Sequence, residues 1–172
     1  MGLFAVSLYN GLMEYRPATD SDARGIAAVL IQSYNIESME EGEAAFREEY
    51  GRGICYLVAV EGGQVVGLTS WMTHGLPKHG LAELDRIAVS PAMRGRGVAA
   101  ELFQALLADA DAHYRAHQGR LRKLFLMTHA DNLRAQAFYL KMGFTAEATL
   151  KDHYYPGKDE LVMSLFPRAG GK

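Results

Sequence analysis

The chain has 172 residues, 49% of them apolar and 22% charged, which is the composition of one globular domain with a sizeable core. Its 18 Lys and Arg against 20 Asp and Glu give a net charge of −2, which argues against a protein that binds nucleic acid through phosphate contacts. The one cysteine, Cys55, excludes an internal disulfide framework and a zinc site built from several cysteines.

The start of the chain predicts an extension followed by a domain. Residues 14–18 read as a first strand, so we expect a domain over 13–168, an N-terminal extension over 1–12 and a tail over 169–172. The opening residues lack the basic region and the apolar length of a secretory signal. No apolar run approaches the roughly 20 residues that span a bilayer. These observations predict a cytoplasmic protein with no membrane contact.

The first half of the domain is predicted to continue with two helices and three strands. Thr19 and Asp22 fit a capping box at the start of the first helix. The second helix is acidic and is predicted over residues 37–50. The three strands that follow are predicted over 56–60, 64–72 and 81–89, and the Gly-Gly pair after the first of them indicates a hairpin.

The second half is predicted as helix, strand, helix and two strands. The first helix begins near Gly97, and its apolar stripe repeats every four residues: Val98, Leu102, Leu106, Ala110 and Tyr114. A strand over 123–128 precedes a helix that Asp131 would cap and Gly143 would end. Alternation from Phe144 to Leu150 predicts a half-buried strand, and the last strand is predicted over 161–166. This order predicts an α/β (α+β) fold, a mixed sheet with helices on its faces.

The strongest chemical signal is the turn between the strand over 81–89 and the helix that follows it. Gly95 and Gly97 lie at the start of that helix, where successive backbone N–H groups and the helix dipole suit a phosphate. The segment formally fits the dinucleotide fingerprint, but the acidic residue expected about 20 positions later is absent, because Arg115 stands there. A Walker loop is excluded because Gly-Lys-Ser/Thr is missing. An ordinary strand-to-helix turn stays open on the glycines alone.

Several motifs from Met13 to about Phe166 resemble the GNAT superfamily of N-acetyltransferases. Arg94-x-x-Gly97-x-Ala99 matches its signature Gln/Arg-x-x-Gly-x-Gly/Ala, and the preceding Ile87-Ala88-Val89-x-Pro91 is similar to its fourth strand. The segment 132–144 resembles its Asn-x-x-Ala-x-x-Phe/Leu-Tyr-x-x-x-Gly-Phe motif. Residues 151–160 resemble the closing hairpin of the ribosomal-protein N-terminal acetyltransferase branch. The resemblance implies a single GNAT-like domain whose central, mostly antiparallel sheet is splayed between strands 4 and 5.

The resemblance also implies an acetyl-CoA site and a reaction. Acetyl would pass from acetyl-CoA to a primary amine, of a small molecule or of a peptide or protein, by direct attack through a tetrahedral intermediate. The residues implied at the diphosphate are consecutive: Arg94, Gly95, Arg96, Gly97, Val98, Ala99 and Ala100. The backbone of Ile87, Ala88 and Val89 would pair with the pantetheine arm, and one of these amides would stabilise the oxyanion.

The helix after Asp131 carries two further implied site residues. Asn132, Gln136 and Tyr139 share one face, beside an apolar face of Leu133, Ala137 and Leu140. The family places the counterpart of Asn132 on the pantetheine or substrate and the Tyr139 phenol near the sulfur, where it could protonate the leaving thiolate. A core-edge tyrosine is the alternative interpretation of Tyr139.

A general base is needed if the amine arrives protonated. Glu83 matches the strand-four glutamate that the histone-acetyltransferase branch uses, and Asp85 on the same strand face would raise its pKa. The ribosomal-protein branch instead has a glutamate five residues before the asparagine, where this chain has Met127. Glu83 is therefore the predicted base, with Asp85 and His129 behind it.

The remaining features leave the acceptor and the partners open. Asp109, His113 and His117 lie four residues apart on a helix, but nothing else indicates a metal site, so no metal is predicted. The acidic second helix favours a cationic acceptor, and the loop with His74 and His79 could border its site. A homodimer stays open. The alternatives are a catalytically silent acyl-CoA-binding sensor and a nucleotide-dependent oxidoreductase.

Overall fold

The computed structural model describes residues 13–167, so the predicted extension over 1–12 and tail over 169–172 lie outside the described residues. The strands in this part of the chain are β1 (Glu14–Pro17), β2 (Cys55–Glu61), β3 (Gln64–His74), β4 (Leu81–Val89), β5 (Lys123–His129), β6 (Thr145–Tyr155) and β7 (Lys158–Leu165). The α-helices are α1 (Ala23–Ile31), α2 (Met39–Gly51), α3 (Val98–Ala116) and α4 (Leu133–Lys141).

The strands form one mixed sheet in the order β1-β2-β3-β4-β5-β7-β6. Antiparallel ladders join β1 to β2, β2 to β3, β5 to β7 and β6 to β7. β4 and β5 are parallel, and their ladder covers only Leu81–Glu83 against Lys123–Phe125. The remainder of β4 therefore runs beyond this ladder. The predicted fold class, a mixed and mostly antiparallel sheet splayed between strands 4 and 5, is confirmed.

The described residues group into two compact units. The first unit comprises the described residues up to Met72 together with Arg86–Asp109. In it α1 and α2 pack on one face of the sheet through a core that includes Ile26, Leu30 and Phe46. A second cluster joins Val98 and Leu102 of α3 to residues of β2, β3 and β4. Burial on both faces explains why β2 reads as a continuous apolar run.

The second unit comprises Thr73–Asp85 and the described residues from Ala110 onward. Its buried side chains include Leu84 of β4, Leu124 and Leu126 of β5, and Met163 of β7. Tyr114 is also buried, and its hydroxyl donates to the carbonyl of Leu81. The predicted α3 stripe is confirmed, because all five of its members are at most 2% exposed.

Three local predictions need correction. The acidic helix begins at Met39 rather than at residue 37, because Ser38 caps it by accepting from the Glu41 N–H. The helix predicted to be capped by Asp131 is capped by Asn132 instead. The strand predicted to be half-buried, β6, is exposed along nearly its whole length. β6 pairs only with β7 at the edge of the sheet, and its alternating alanines do not face a core.

Candidate active site

The turn between β4 and α3 presents its backbone to the surroundings. Gly95 has φ +77° and Gly97 has φ +81°, a left-handed conformation that favours glycine. Within residues 13–167, and apart from each glycine and its chain neighbours, no heavy atom lies within 4 Å of the position that a Cβ would take at either glycine. The first helical bond runs from the Glu101 N–H to the Gly97 carbonyl (3.1 Å), so the N–H groups of residues 98–100 precede the helical ladder. These donors and the helix dipole make a cradle that fits a phosphate group.

The side chains around this turn anchor it. Met93 and Val98, on either side of the glycines, are buried. The Arg96 guanidinium pairs with Glu61 of β2 (2.9 Å) and also approaches the Met93 sulfur. The side chain of Arg96 is thus already paired with a carboxylate. The turn therefore offers main-chain N–H donors to a ligand more readily than it offers the Arg96 guanidinium.

The end of β4 within the first unit has one edge paired and one edge directed away from β3. The Thr69 hydroxyl donates to the Arg86 carbonyl (2.8 Å), and the Ser90 N–H donates to the Val66 carbonyl (2.9 Å). Since backbone groups alternate along a strand, the N–H and C=O of Ile87 point to the opposite edge. Both groups of Ile87 are hydrogen bonded to the Tyr34 hydroxyl.

Glu83, the predicted base, lies on β4 in the second unit and is paired with a histidine. Its side chain is 12% exposed, and Oε2 lies 2.7 Å from His74 Nε2. Burial raises the pKa of the Glu83 carboxyl, the hydrogen bond and charge of His74 oppose that rise, and Asp85 adds to it. His74 is predicted in a loop that could border the acceptor site, and no sequence pattern pairs it with Glu83. The structure instead places His74 at the end of β3.

A second carboxylate–imidazole pair lies on β5 and β7. His129 faces Glu160 across the antiparallel ladder, and its Nδ1 contacts the buried Glu160 carboxylate. Glu160 does not stand out in the sequence, because its local pattern does not indicate burial. Burial first and then the charges of Glu83, Glu160 and Asp85 raise the pKa of the Tyr154 phenol. These three carboxylates of the second unit therefore all act on Tyr154.

The two faces of α4 differ in exposure. Tyr139 is buried, and its ring packs edge-on against Phe144 at 5.7 Å between centroids. Asn132 uses Oδ1 to accept from the Ala135 N–H (3.1 Å), so its side chain already caps the helix. On the apolar face Leu133 is 71% and Leu140 is 57% accessible.

The histidines and aspartate considered as a metal site have other partners. Asp109 accepts from the Trp71 indole N–H at 2.9 Å, and His117 Nδ1 lies 2.8 Å from the His113 carbonyl oxygen. Among residues 13–167, no group of three or more His, Cys, Asp or Glu side chains could hold a metal ion. None of the helices in that same range is both long enough and apolar enough to cross a membrane.

Comparison with known sequences identifies one family. The model of the acetyltransferase (GNAT) family matches residues 8–144. The spore coat polysaccharide biosynthesis protein SpsD of Bacillus subtilis is 31% identical over 110 residues, which is 63% of this chain and 35% of SpsD. N-acetylaspartate synthetase of Xenopus tropicalis is 31% identical over 112 residues, 64% of this chain and 38% of that protein. The chain thus spans little more than a third of the length of these relatives.

Solved structures of similar fold cover nearly the whole chain. A GNAT-family protein from Desulfovibrio desulfuricans has a TM-score of 0.75 at 23% identity, covering 90% of this chain and 98% of that one. The ribosomal-protein-S18-alanine N-acetyltransferase of Escherichia coli has a TM-score of 0.74 at 18% identity, with 94% and 97% covered. The yncA protein of Salmonella typhimurium, solved with its cofactor acetyl-CoA, has a TM-score of 0.66 at 18% identity, with 92% and 96% covered.

Proposed function

The chain belongs to the acetyltransferase (GNAT) family, and we propose that it transfers the acetyl group of acetyl-CoA to a primary amine of a small molecule, a peptide or a protein. The observation that carries this proposal is the turn from Arg94 to Ala100. Its two positive-φ glycines, its open surroundings and its free helix N-terminus fit a diphosphate. A protein of the same fold is known with acetyl-CoA bound.

We assign the donor-binding roles to the first unit. The main chain of Arg94, Gly95, Arg96, Gly97, Val98, Ala99 and Ala100 would hold the diphosphate. The main chain of Ile87, Ala88 and Val89 would lie along the pantetheine arm. The hydrogen bonds to the arm would come from Ile87 and Val89, because the N–H and C=O groups of alternate residues point away from β3. One amide of this segment would donate a hydrogen bond to the thioester oxygen as negative charge develops there. We also place Asn132, of the second unit, among the donor-binding residues.

The proton-handling roles fall to the second unit. Acetyl-CoA supplies a thioester carbonyl that an amine can attack, with a thiol as the leaving group. Glu83 would accept the proton that the amine nitrogen loses, and Tyr139 would donate a proton to the departing sulfur. The raised pKa of Glu83 suits this role, since a base titrating nearer neutrality is a stronger proton acceptor.

Direct transfer is favoured over a covalent acyl-cysteine. Burial, with a contribution from Asp109, raises the pKa of the Cys55 thiol to about 11. At neutral pH very little of this thiol is in the thiolate form, which is the nucleophilic form. The one cysteine of the chain is therefore a poor nucleophile.

The acceptor that we propose is a cationic amine. After burial, the charges of Glu83, Glu160 and Asp85 raise the pKa of the Tyr154 phenol, which supports a negatively charged environment near these residues. Such an environment attracts a protonated amine, and Glu83 can then remove its proton. An α-amine loses its proton more easily than a lysine, since its ordinary pKa is near 7.7–8.0 rather than 10.4.

Three measurements on one protein sample test the proposal. Calorimetry should show acetyl-CoA binding, and a panel of small amines, peptides and aminoglycoside antibiotics should yield free thiol with at least one acceptor. NAD(P) should give no thermal stabilisation, which separates the proposal from an oxidoreductase. Tight acetyl-CoA binding without turnover on any amine would favour an acyl-CoA-binding sensor. Failure to bind acetyl-CoA would contradict the proposed function.

A further inference from the structure

The Tyr34 hydroxyl occupies both backbone groups of Ile87. Tyr34 follows α1, and its hydroxyl accepts from the Ile87 N–H at 3.2 Å and donates to the Ile87 carbonyl at 3.3 Å. A phenol hydroxyl has one proton and can also accept, so it can form both bonds at once. In this respect the hydroxyl takes the place of the amide that a neighbouring strand would supply.

The edge of β4 that Tyr34 occupies is the edge directed away from β3. The Arg86 carbonyl and the Ser90 N–H are both bonded on the β3 side. The ladder of β4 with β5 covers only Leu81–Glu83, and Ile87 lies beyond it. Ile87 therefore presents its donor and acceptor to whatever lies along this edge, and in this structure that is the Tyr34 hydroxyl.

The ring of Tyr34 has a support that does not depend on these two bonds. The Arg86 guanidinium lies over the ring, 5.4 Å from its centroid, and donates to Glu49 of α2 at 2.6 Å. Both hydroxyl bonds are long, since N–H···O bonds are usually about 2.9–3.0 Å and O–H···O bonds about 2.7–2.8 Å, and Tyr34 is 37% exposed. An extended amide chain could therefore replace the hydroxyl while the ring remains near Arg86.

We infer that Tyr34 gates the acyl-donor site: its hydroxyl holds the Ile87 N–H and C=O until the pantetheine arm of the donor takes the same two groups. This inference rests on the proposed function, because it needs the donor arm to pair with Ile87. Only the molecules in which the hydroxyl has left Ile87 can accept the arm. The apparent affinity for the donor is therefore lower than the intrinsic affinity, in proportion to the fraction of such molecules.

Tyr34→Phe keeps the ring and its contact with Arg86 but removes both hydroxyl bonds. Tyr50→Phe is the matched control, because the Tyr50 hydroxyl also donates to a backbone carbonyl, that of Ala18, at 3.4 Å. Calorimetry is carried out with acetyl-CoA and, separately, with its phosphoadenosine diphosphate half, which has no arm. We expect Tyr34→Phe to bind acetyl-CoA about three- to tenfold more tightly. The half-molecule should bind equally to all three proteins, and Tyr50→Phe should behave as the unsubstituted protein does.

A second readout needs no ligand. The backbone amide resonance of Ile87 should shift on Tyr34→Phe and not on Tyr50→Phe, because only the first substitution removes its acceptor. An unmoved Ile87 resonance would overturn the inference. So would unchanged or weaker acetyl-CoA binding by Tyr34→Phe, or an equal gain with the half-molecule. If the unsubstituted protein binds no acetyl-CoA, the proposed function fails and the inference fails with it, which is a result distinct from the other three.

Discussion

At the scale of single residues, the burial of Glu83 and its pairing with His74 have opposite effects on the pKa of the Glu83 carboxyl. Burial makes the ionised form of Glu83 less stable, and the hydrogen bond from His74 makes it more stable. The net effect is a raised pKa, so burial prevails. A general base of this kind is active only when ionised, and the acidic limb of kcat/KM then follows its pKa.

Substitution of Glu83 or His74 should change the pH dependence of kcat/KM in a defined direction. Glu83→Gln should lower kcat/KM by roughly 10²–10⁴ near neutral pH, because proton affinity is lost while size is kept. Higher pH should partly restore it, since more of the amine is then neutral. His74→Ala removes the group that lowers the Glu83 pKa, so the acidic limb should move to higher pH. The measurement is kcat/KM against pH with acetyl-CoA saturating.

The matched controls are an exposed glutamate and a distant histidine. Glu48→Gln on α2 and His113→Ala on α3 should leave the profile unchanged. If Glu83→Gln is near normal while Asp85→Asn is inactive, the base is Asp85. If neither matters, the protein uses amines that are already neutral. An acidic limb that stays in place in His74→Ala would show that His74 does not tune the base.

Tyr139 provides a test of the proton donor. Tyr139→Phe keeps the ring that packs against Phe144, so folding and acetyl-CoA binding should persist. If the phenol protonates the sulfur, kcat should fall by about 10²-fold, since a thiolate leaves fairly well unaided. Single-turnover thiol release at saturating acetyl-CoA measures this step. Tyr50→Phe is the control, and an unchanged chemical step would reduce Tyr139 to a packing residue.

At the scale of elements, the turn before α3 depends on backbone conformation. Gly97→Val introduces a β-branched side chain at φ +81°, and its Cβ would lie in the open space from which a diphosphate would approach. Acetyl-CoA affinity should fall at least tenfold, about 1.4 kcal/mol, as measured by calorimetry. Gly53→Val is the control, because Gly53 has φ +88° and equally open surroundings. Unchanged affinity in a folded Gly97→Val protein would remove the diphosphate assignment.

The helices and strands also show where sequence periodicity no longer indicates which side chains are buried. The α3 stripe was predicted correctly because nineteen helical residues carry five apolar positions with one consistent spacing. The shorter α4 has a polar-aromatic face and an apolar face, and its periodicity does not indicate which of them is buried: Leu133 and Leu140 are exposed, whereas Tyr139 is buried. In β6 the alternation is present but no core covers it. Periodicity shows that side chains share a face, and only the fold shows whether that face is covered.

At the scale of the whole molecule, the mixed sheet and its splay could be predicted because the motif order resembled a known family. The side-chain contacts of the candidate residues could not. Tyr34 and Ile87 are 53 positions apart, and no sequence pattern links a surface tyrosine to a strand backbone at that separation. His74 with Glu83 and His129 with Glu160 likewise depend on strand register. Register is set by the folded sheet rather than by local composition.

The structure also predicts how the stability of the fold changes at acidic pH. The Asp22 side chain is 8% exposed and accepts from the Arg16 guanidinium at 2.7 and 2.9 Å and from the Thr19 N–H at 2.7 Å. The Arg16 hydrogen bonds, followed by those from Thr19, hold the pKa of Asp22 below its usual value against the effect of burial. A lowered folded-state pKa stabilises the fold above the unfolded pKa, near 3.9, and that contribution is lost as pH falls through the folded value.

Asp22→Asn should therefore lower the free energy of unfolding by about 1–3 kcal/mol at pH ~7, because the charged partner of Arg16 is lost. Below pH ~4 the difference from the unsubstituted protein should shrink, since that protein loses the same ionised carboxylate on protonation. Urea unfolding followed by fluorescence of Trp71, which is fully buried in the same unit, measures both values. Asp20→Asn is the control, because Asp20 is 77% exposed and its pair with Arg47 lies at the surface. A difference that persists undiminished at low pH would show that Asp22 stabilises the fold by packing rather than by charge.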